Sequence, residues 1–276
     1  MSEQAETRNA AEPRATNSAP GESIVRFDAV TKSLGGRTVL DAVSFDIRRG
    51  ETFVIVGPSG VGKSVTLKHM VRLLTPDDGR VFVGEDEVST ARGTRLESIR
   101  NRFGYLFQGG ALLAWLTTAE NVALPLREKT TLSEAEIQER VMTMLGLVGL
   151  EKDAAKLPDE ISGGMRKRAG LARAIVRNPE IVLYDEPTSG LDPVTSRTID
   201  ALIEKMRKEL GVTSVVVTHD LHSALSIGTR IAMLHGGHVV DVSTPEEFVE
   251  SPNEEVRGFL DAQYVTRRGS WERNVL

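Results

Sequence analysis

Several short stretches of this 276-residue chain hold apolar residues in consecutive runs instead of at alternate positions. Thr52–Val56, Ile181–Tyr184, Ser214–Thr218 and Ile231–Leu234 read as strands buried on both faces. Helix-like stretches at 194–210 and 220–227 separate the last three. Continuous apolar strands alternating with helices predict an α/β fold, a mostly parallel sheet covered on both sides. Ile24–Phe27, Val43–Ile47 and Arg80–Val83 read as shorter strands, with turns at Gly35-Gly36 and Pro76–Gly79. Gly104–Phe107 is a further strand, ending at Gln108.

The texture then becomes helical. Ser133-Glu134-Ala135-Glu136 has the form of a capping box, in which the Ser133 hydroxyl accepts from the Glu136 amide and the Glu136 side chain reaches back. Behind it, Ile137, Val141, Met144, Leu145 and Val148 keep helical spacing. The block from about 108 to 165 is therefore expected to be a helical insertion in the α/β core. Residues 1–22 show no apolar period and are expected to be a disordered tail. Residues 262–276 read as a polar tail.

Composition narrows the class. Apolar residues make up 40% and charged residues 26%, ordinary for a globular chain. The net charge of −5 argues against nucleic acid as a partner. The absence of cysteine excludes disulfides, Cys-zinc sites and thiol nucleophiles. No stretch approaches the ~18 apolar residues of a membrane span, and no secretory signal is visible. The expectation is a soluble, cytoplasmic protein that reaches membranes only through a partner.

The strand at 52–56 runs into Gly57-Pro58-Ser59-Gly60-Val61-Gly62-Lys63-Ser64, and a helix start at Val65–Val71 follows. Strand, glycine loop, Lys-Ser and helix is the P-loop arrangement. Glycines let several N–H groups converge on one concavity and bind phosphate oxygens. Lys63 is expected to reach the β- and γ-phosphates and Ser64 to ligate Mg²⁺.

Other residues take meaning from that loop. Asp185 and Glu186 end the apolar strand at 181–184, so Asp185 is a Mg²⁺ candidate and Glu186 a general-base candidate. His219 ends the strand at 214–218 and could hydrogen-bond a γ-phosphate. Gln108 could ligate Mg²⁺ or position water through its amide oxygen. Ser162-Gly163-Gly164 opens a helix whose apolar face is Met165, Ala169, Ala172 and Val176. A helix N-terminus with glycines is a second phosphate cradle. Taken singly, each of these also reads as an ordinary strand end, surface amide or capped turn. Two cradles in one chain suggest a nucleotide held between two copies.

In order and spacing, the set resembles the ATP-binding cassette (ABC) family. Walker A lies at 57–64, the Q-loop glutamine is Gln108 and the signature is Ile161-Ser162-Gly163-Gly164-Met165. Walker B lies at 181–185, followed by Glu186, a D-loop at Ser189-Gly190-Leu191-Asp192 and the switch residue His219. The likeness covers about 24–248. It implies a P-loop NTPase with a RecA-like core, an antiparallel β edge subdomain and an inserted α-helical subdomain. A C-terminal extension at 249–276 would contact partners or be flexible. The resemblance also implies ATP and Mg²⁺, with Gly57 through Ser64, Val65, Gln108, Ser162, Gly163, Gly164 and Asp192 at the nucleotide. Ser64, Gln108 and Asp185 would serve the metal, and Lys63, Glu186 and His219 catalysis. Cassettes of the family pair head-to-tail, each ATP lying between one Walker A and the other copy's signature.

The chain departs from the family pattern at Met165, where a polar residue is common, and at Leu34, near the usual adenine-stacking aromatic. Phe27 is close to that position but is expected in the core. Phe107–Leu113, Glu120–Glu128, Ser162–Arg168 and Ser251–Leu260 resemble ATPase subunits of Mla/MCE-type lipid transporters. That likeness implies an MlaE-type permease, MCE- and STAS-domain partners, hydrophobic cargo and a site on the cytoplasmic face of the inner membrane. In this reading Ala111–Leu116 would form an apolar wall for a permease helix. The alternatives weighed are an importer ATPase for a polar solute such as an amino acid, and a non-transport ABC machine. A P-loop kinase would leave Ser162–Gly164 and Asp192 unexplained.

Overall fold

The computed structural model describes residues 21–263. β1 (Ser23–Leu34) and β2 (Arg37–Arg48) form a hairpin around Gly35-Gly36, and both exceed the short strands expected there. Register shifts break their alternation, and Ala29 and Ala42 take positive φ, so the polar–apolar pattern is legible only in part. β3 (Thr52–Val56) leads through the glycine loop into α1 (Lys63–Met70). β4 (Asp78–Val83) starts inside the stretch read as a turn, and β5 (Asp86–Glu87) follows. Asp77 ends that turn by accepting from Lys32 Nζ (2.6 Å) and Ser33 N (2.7 Å). α2 (Gly93–Asn101), unexpected from the sequence, buries only Leu96 and Ile99, too few for a visible period.

β6 (Phe103–Leu106) precedes the helical block. In that block α3 (Thr118–Lys129) and α4 (Glu134–Leu147) each begin in a capping box, at Thr117/Glu120 and Ser133/Glu136. α5 (Gly163–Ile175) packs against α3 and β6 and returns the chain to the sheet. β7 (Ile181–Asp185), α6 (Pro193–Leu210), β8 (Thr213–Val217), α7 (Leu221–Ile227), β9 (Arg230–His235) and β10 (His238–Ser243) complete the alternation. α8 (Pro245–Val249) and α9 (Glu254–Ala262) follow. The boundary expected at 248 cuts through α8. Phe248, Val249, Val256 and Leu260 are all buried in the core, so the extension is built into the fold as far as Gln263. Of the tails expected at 1–22 and 262–276, residues 1–20 and 264–276 lie outside the described residues, and Ala262 ends α9.

Two sheets result. One is antiparallel, in the order β2-β1-β4-β5. The other runs β10-β9-β3-β8-β7-β6 and is parallel except at β10. Alternate residues of β3 enter different cores. Val54 and Val56 meet the helices α3–α9, while Phe53 and Ile55 meet the antiparallel sheet, α1 and α2. This two-sided burial is why the run is apolar throughout. Each such side chain stabilises the fold by roughly 1.5–3 kcal/mol. Phe27 is fully buried and stacks on Phe45 at 4.6 Å, so it belongs to the core. Because β3, β8, β7 and β6 are adjacent and parallel, the loops after all four emerge side by side at one edge of the sheet.

Candidate functional site

The loop after β3 is shaped by glycine. Gly57 has φ +146°, and a Cβ there would lie 2.2 Å from the Leu234 carbonyl oxygen. Gly62 has φ +110°, and its Cβ would meet Leu40 at 2.8 Å. Neither position admits a side chain without moving its neighbours. The result is a tight concavity whose rim, Pro58, Ser59 and Gly60, is exposed. Gly62 caps α1 without a side chain, and the first turn of α1 carries no acid. The free amides and the positive helix end therefore face the loop. Val61 and Val65 are half-buried and pack against the β-edge core.

Lys63 is buried, and its ammonium donates to Gly57 O (2.7 Å) and Pro58 O (3.1 Å). Burial pulls its pKa below the ordinary lysine value, and Glu186 and Asp185 oppose that shift. Ser64 Oγ donates to Asp185 Oδ1 at 2.7 Å across the β3–β7 gap. A hydroxyl and a carboxylate in contact are hard oxygen donors of the kind Mg²⁺ takes, with phosphate and water completing its shell. Among the described residues no cluster of three or more acidic or histidine side chains could hold a metal alone. Tyr105 lies beside Asp185, and burial together with that charge raises its phenol pKa.

Glu186 adopts φ +52°, a conformation few non-glycine residues take. Its N–H donates to Val217 O on β8 (2.9 Å), which locks the main chain there. The carboxylate is then held from two sides. Oε1 lies 3.8 Å from Lys63 Nζ, and Oε2 lies 2.8 Å from His219 Nδ1. Strained backbone of this kind persists where its surroundings over-determine it.

Lys167 supplies part of that constraint, and the sequence reading missed it. It is 5% exposed, and its ammonium donates to Glu186 O (3.2 Å), Ser189 O (2.5 Å) and Ser189 Oγ (3.4 Å). Ser189 Oγ and N also donate to Glu186 O. On a helical wheel Lys167 falls away from the face of Met165, Ala169 and Ala172, so it reads as solvated. The missed signal was Gly164, Gly170 and Ala174: small residues on the other sides mark a helix enclosed nearly all round. A Cβ on Gly170 would come within 2.8 Å of Leu106.

Other predicted residues lie apart from this cluster. Gln108 is exposed in the loop after β6, one strand from Asp185. Ser162 caps α5 by accepting from Met165 N (3.2 Å). Asp192 caps α6, accepting from Val194 N and Thr195 N (both 3.0 Å) and from Thr195 Oγ1 (2.6 Å). A Cβ on Gly164 would lie 2.5 Å from Thr195 Cγ2, so the ends of α5 and α6 abut. Ser162, Gly163, Gly164 and Asp192 thus form one patch, outside the hydrogen bonds of the glycine loop. Leu34 ends β1 beside Gly35-Gly36 and is 41% exposed.

Residues 40–189 match the ABC transporter family. The chain belongs to that family. It is an ABC transporter ATP-binding subunit and an ATPase. It is 41% identical over 255 residues to a probable ribonucleotide transport ATP-binding protein of Mycobacterium tuberculosis, covering 92% of this chain and 71% of that one. It is 37% identical over 239 residues to the intermembrane phospholipid transport system ATP-binding protein MlaF of Escherichia coli, covering 87% and 89%. Its fold matches a dimeric ATP-binding cassette in a post-hydrolysis state bound to ADP and Pi. There the TM-score is 0.74 and the identity 36%, over 80% of this chain and 98% of that one. Among the described residues no helix is long and apolar enough to cross a membrane.

Proposed function

We propose that this ABC subunit hydrolyses ATP in a head-to-tail pair of copies and thereby drives an integral-membrane permease that moves phospholipid or another hydrophobic molecule. The observation that carries the hydrolytic part is the placement of Glu186 between Lys63 and His219. Loop amides from Gly57 to Gly62, with Lys63, bind the phosphates, and Val65 lies in the first turn behind them. Ser64, Asp185 and Gln108 would hold Mg²⁺, which supplies positive charge at the phosphate oxygens. Glu186 accepts the proton of the attacking water. His219 orients Glu186 and hydrogen-bonds the γ-phosphate. Ser162, Gly163, Gly164 and Asp192 of the second copy close the site. The exposure of Ser162 and Asp192 at two abutting helix ends supports this, as does the dimeric state of the similar cassette. Positioning and electrostatics then do most of the catalytic work.

Likeness to MlaF over most of that protein's length supports a lipid cargo. With it come an MlaE-type permease, MCE- and STAS-domain partners and a place on the cytoplasmic face of the inner membrane. Trp115, 74% exposed, stands in the stretch expected to face the permease. A polar cargo is the second reading, favoured by the name of the mycobacterial relative. The test is transport. The subunit, purified with its permease and placed in proteoliposomes, should move a fluorescent phospholipid only when ATP is hydrolysed. ATP-driven movement of a labelled ribonucleotide, with the phospholipid left in place, overturns the lipid reading.

A further inference from the structure

The loop carrying His219 is held by a residue far along the chain from every motif. Gln263 follows α9, and its side-chain amide bridges the two sides of the turn between β8 and α7. Gln263 Oε1 accepts from Leu221 N (3.0 Å), and Gln263 Nε2 donates to His219 O (2.8 Å). Leu221 opens α7, where amides lack partners within the helix. The cap, Asp220, serves His222 N (2.9 Å) and Ser223 N (3.3 Å), which leaves the Leu221 amide to Gln263.

The other end of the bridge is firm. α9 buries Val256 and Leu260 in the core. Asn253 Nδ2 donates to Val240 O at 3.3 Å. The His219 side chain, by contrast, is 56% exposed, and its partner is the Glu186 carboxylate. Where the imidazole starts is therefore set chiefly by its main chain.

We infer that Gln263 is a positioning residue for ATP hydrolysis. It fixes the main chain at His219 and hence the approach of the imidazole to Glu186. The end of α9 thereby becomes a point from which turnover is set without contact with the nucleotide. A ligand or protein that moved this end would change the rate of hydrolysis without competing with ATP. This inference rests on the assignment of His219 to the hydrolytic site.

Gln263→Met keeps the side chain's length and loses both bonds, whereas Gln263→Glu keeps the acceptor for Leu221. The full-length chain is assayed for steady-state ATP hydrolysis and for amide hydrogen exchange. In Gln263→Met, kcat is expected to fall about tenfold at unchanged KM for ATP, with Leu221 exchanging about tenfold faster, as befits two lost bonds of ordinary strength. The Leu260 amide keeps its protection, and Gln263→Glu falls between native and Met. A native kcat in Gln263→Met overturns the inference. So does loss of protection at Leu260 in both variants, which would mean general loosening. His219→Ala is run beside them. If it too turns over normally, the assignment of His219 fails. If it is inactive while Gln263→Met is native, only the role of Gln263 fails.

Discussion

His219 Nδ1 lies 2.8 Å from Glu186 Oε2, joining the residue after β8 to the residue after β7. The contact is possible because the strands are adjacent and parallel, and because Glu186 accepts an unusual φ of +52°. A proton on Nδ1 lets the imidazole donate to the carboxylate, and a phosphate oxygen, itself an acceptor, takes a hydrogen bond from this ring only through an N–H on Nε2. Lys63 approaches the other carboxylate oxygen, so the carboxylate proposed as the hydrolytic base is oriented from both sides within a single chain.

Lys167 ties α5 to the main chain of Glu186. Lys167→Met removes the ammonium from Glu186 O and Ser189 O while keeping an apolar stem in the same space. Hydrolysis is expected to fall about tenfold, the effect of a catalytic group displaced slightly from its line of action. ATP affinity should stay unchanged. Lys167→Gln, which keeps an N–H donor, should recover part of the rate. A fluorescent-nucleotide titration beside the turnover assay separates the two effects, and a matched loss of affinity would count against a positioning role.

Asp200 on α6 is buried, accepts from Ser223 Oγ and has its pKa pushed up to about 6, mainly by burial, with the Asp220 charge adding. A carboxylate with a raised folded pKa favours the fold when protonated, so the contribution is full below its unfolded value of 3.8 and is lost as pH rises through about 6. The difference corresponds to roughly 3 kcal/mol of stability forgone at pH 8. Asp200→Asn keeps an acceptor for Ser223 and carries no charge. Its Tm should exceed that of the native chain at pH 8 and converge with it at pH 4. Equal Tm values at both pH values would place Asp200 in a wetter setting than the structure shows.

The core and the phosphate end of the site were legible because their physics is local and periodic. Thr52–Val56 had to be buried on both faces, and Gly57 and Gly62 could only be loop. The carboxylates at 185 and 186 were legible as strand-end residues beside that loop. Lys167 and Gln263 were not. Each acts through main-chain acceptors or donors that come close only when distant elements pack, and nothing in their immediate sequence marks that. α9 escaped for a related reason. Val256, Phe259 and Leu260 keep helical spacing over little more than one turn of a nine-residue stretch, too short a run to stand out before packing brings them to the core.

Ser162 tests the shared site. In one chain it caps α5 and is exposed, so Ser162→Arg puts a large cation on the patch without entering a core. Loss of the cap costs about 1 kcal/mol, which leaves the chain folded. Each copy should still bind ATP at its own loop, while hydrolysis is lost. Mixing with a Lys63→Ala chain, which has an intact Ser162, should restore at most one working site per pair. Full activity of Ser162→Arg alone would place the second cradle outside the reaction.

The most direct measurement is made on Glu186→Gln. The amide keeps the shape of the side chain and cannot take a proton from water. With Mg²⁺ and ATP, light scattering during size-exclusion chromatography should find a stable dimer that retains unhydrolysed ATP, while the native chain passes through that state. Hydrolysis at the native rate would contradict the assignment of Glu186, and a nucleotide-bound species that stays monomeric at every concentration would contradict the two-copy site.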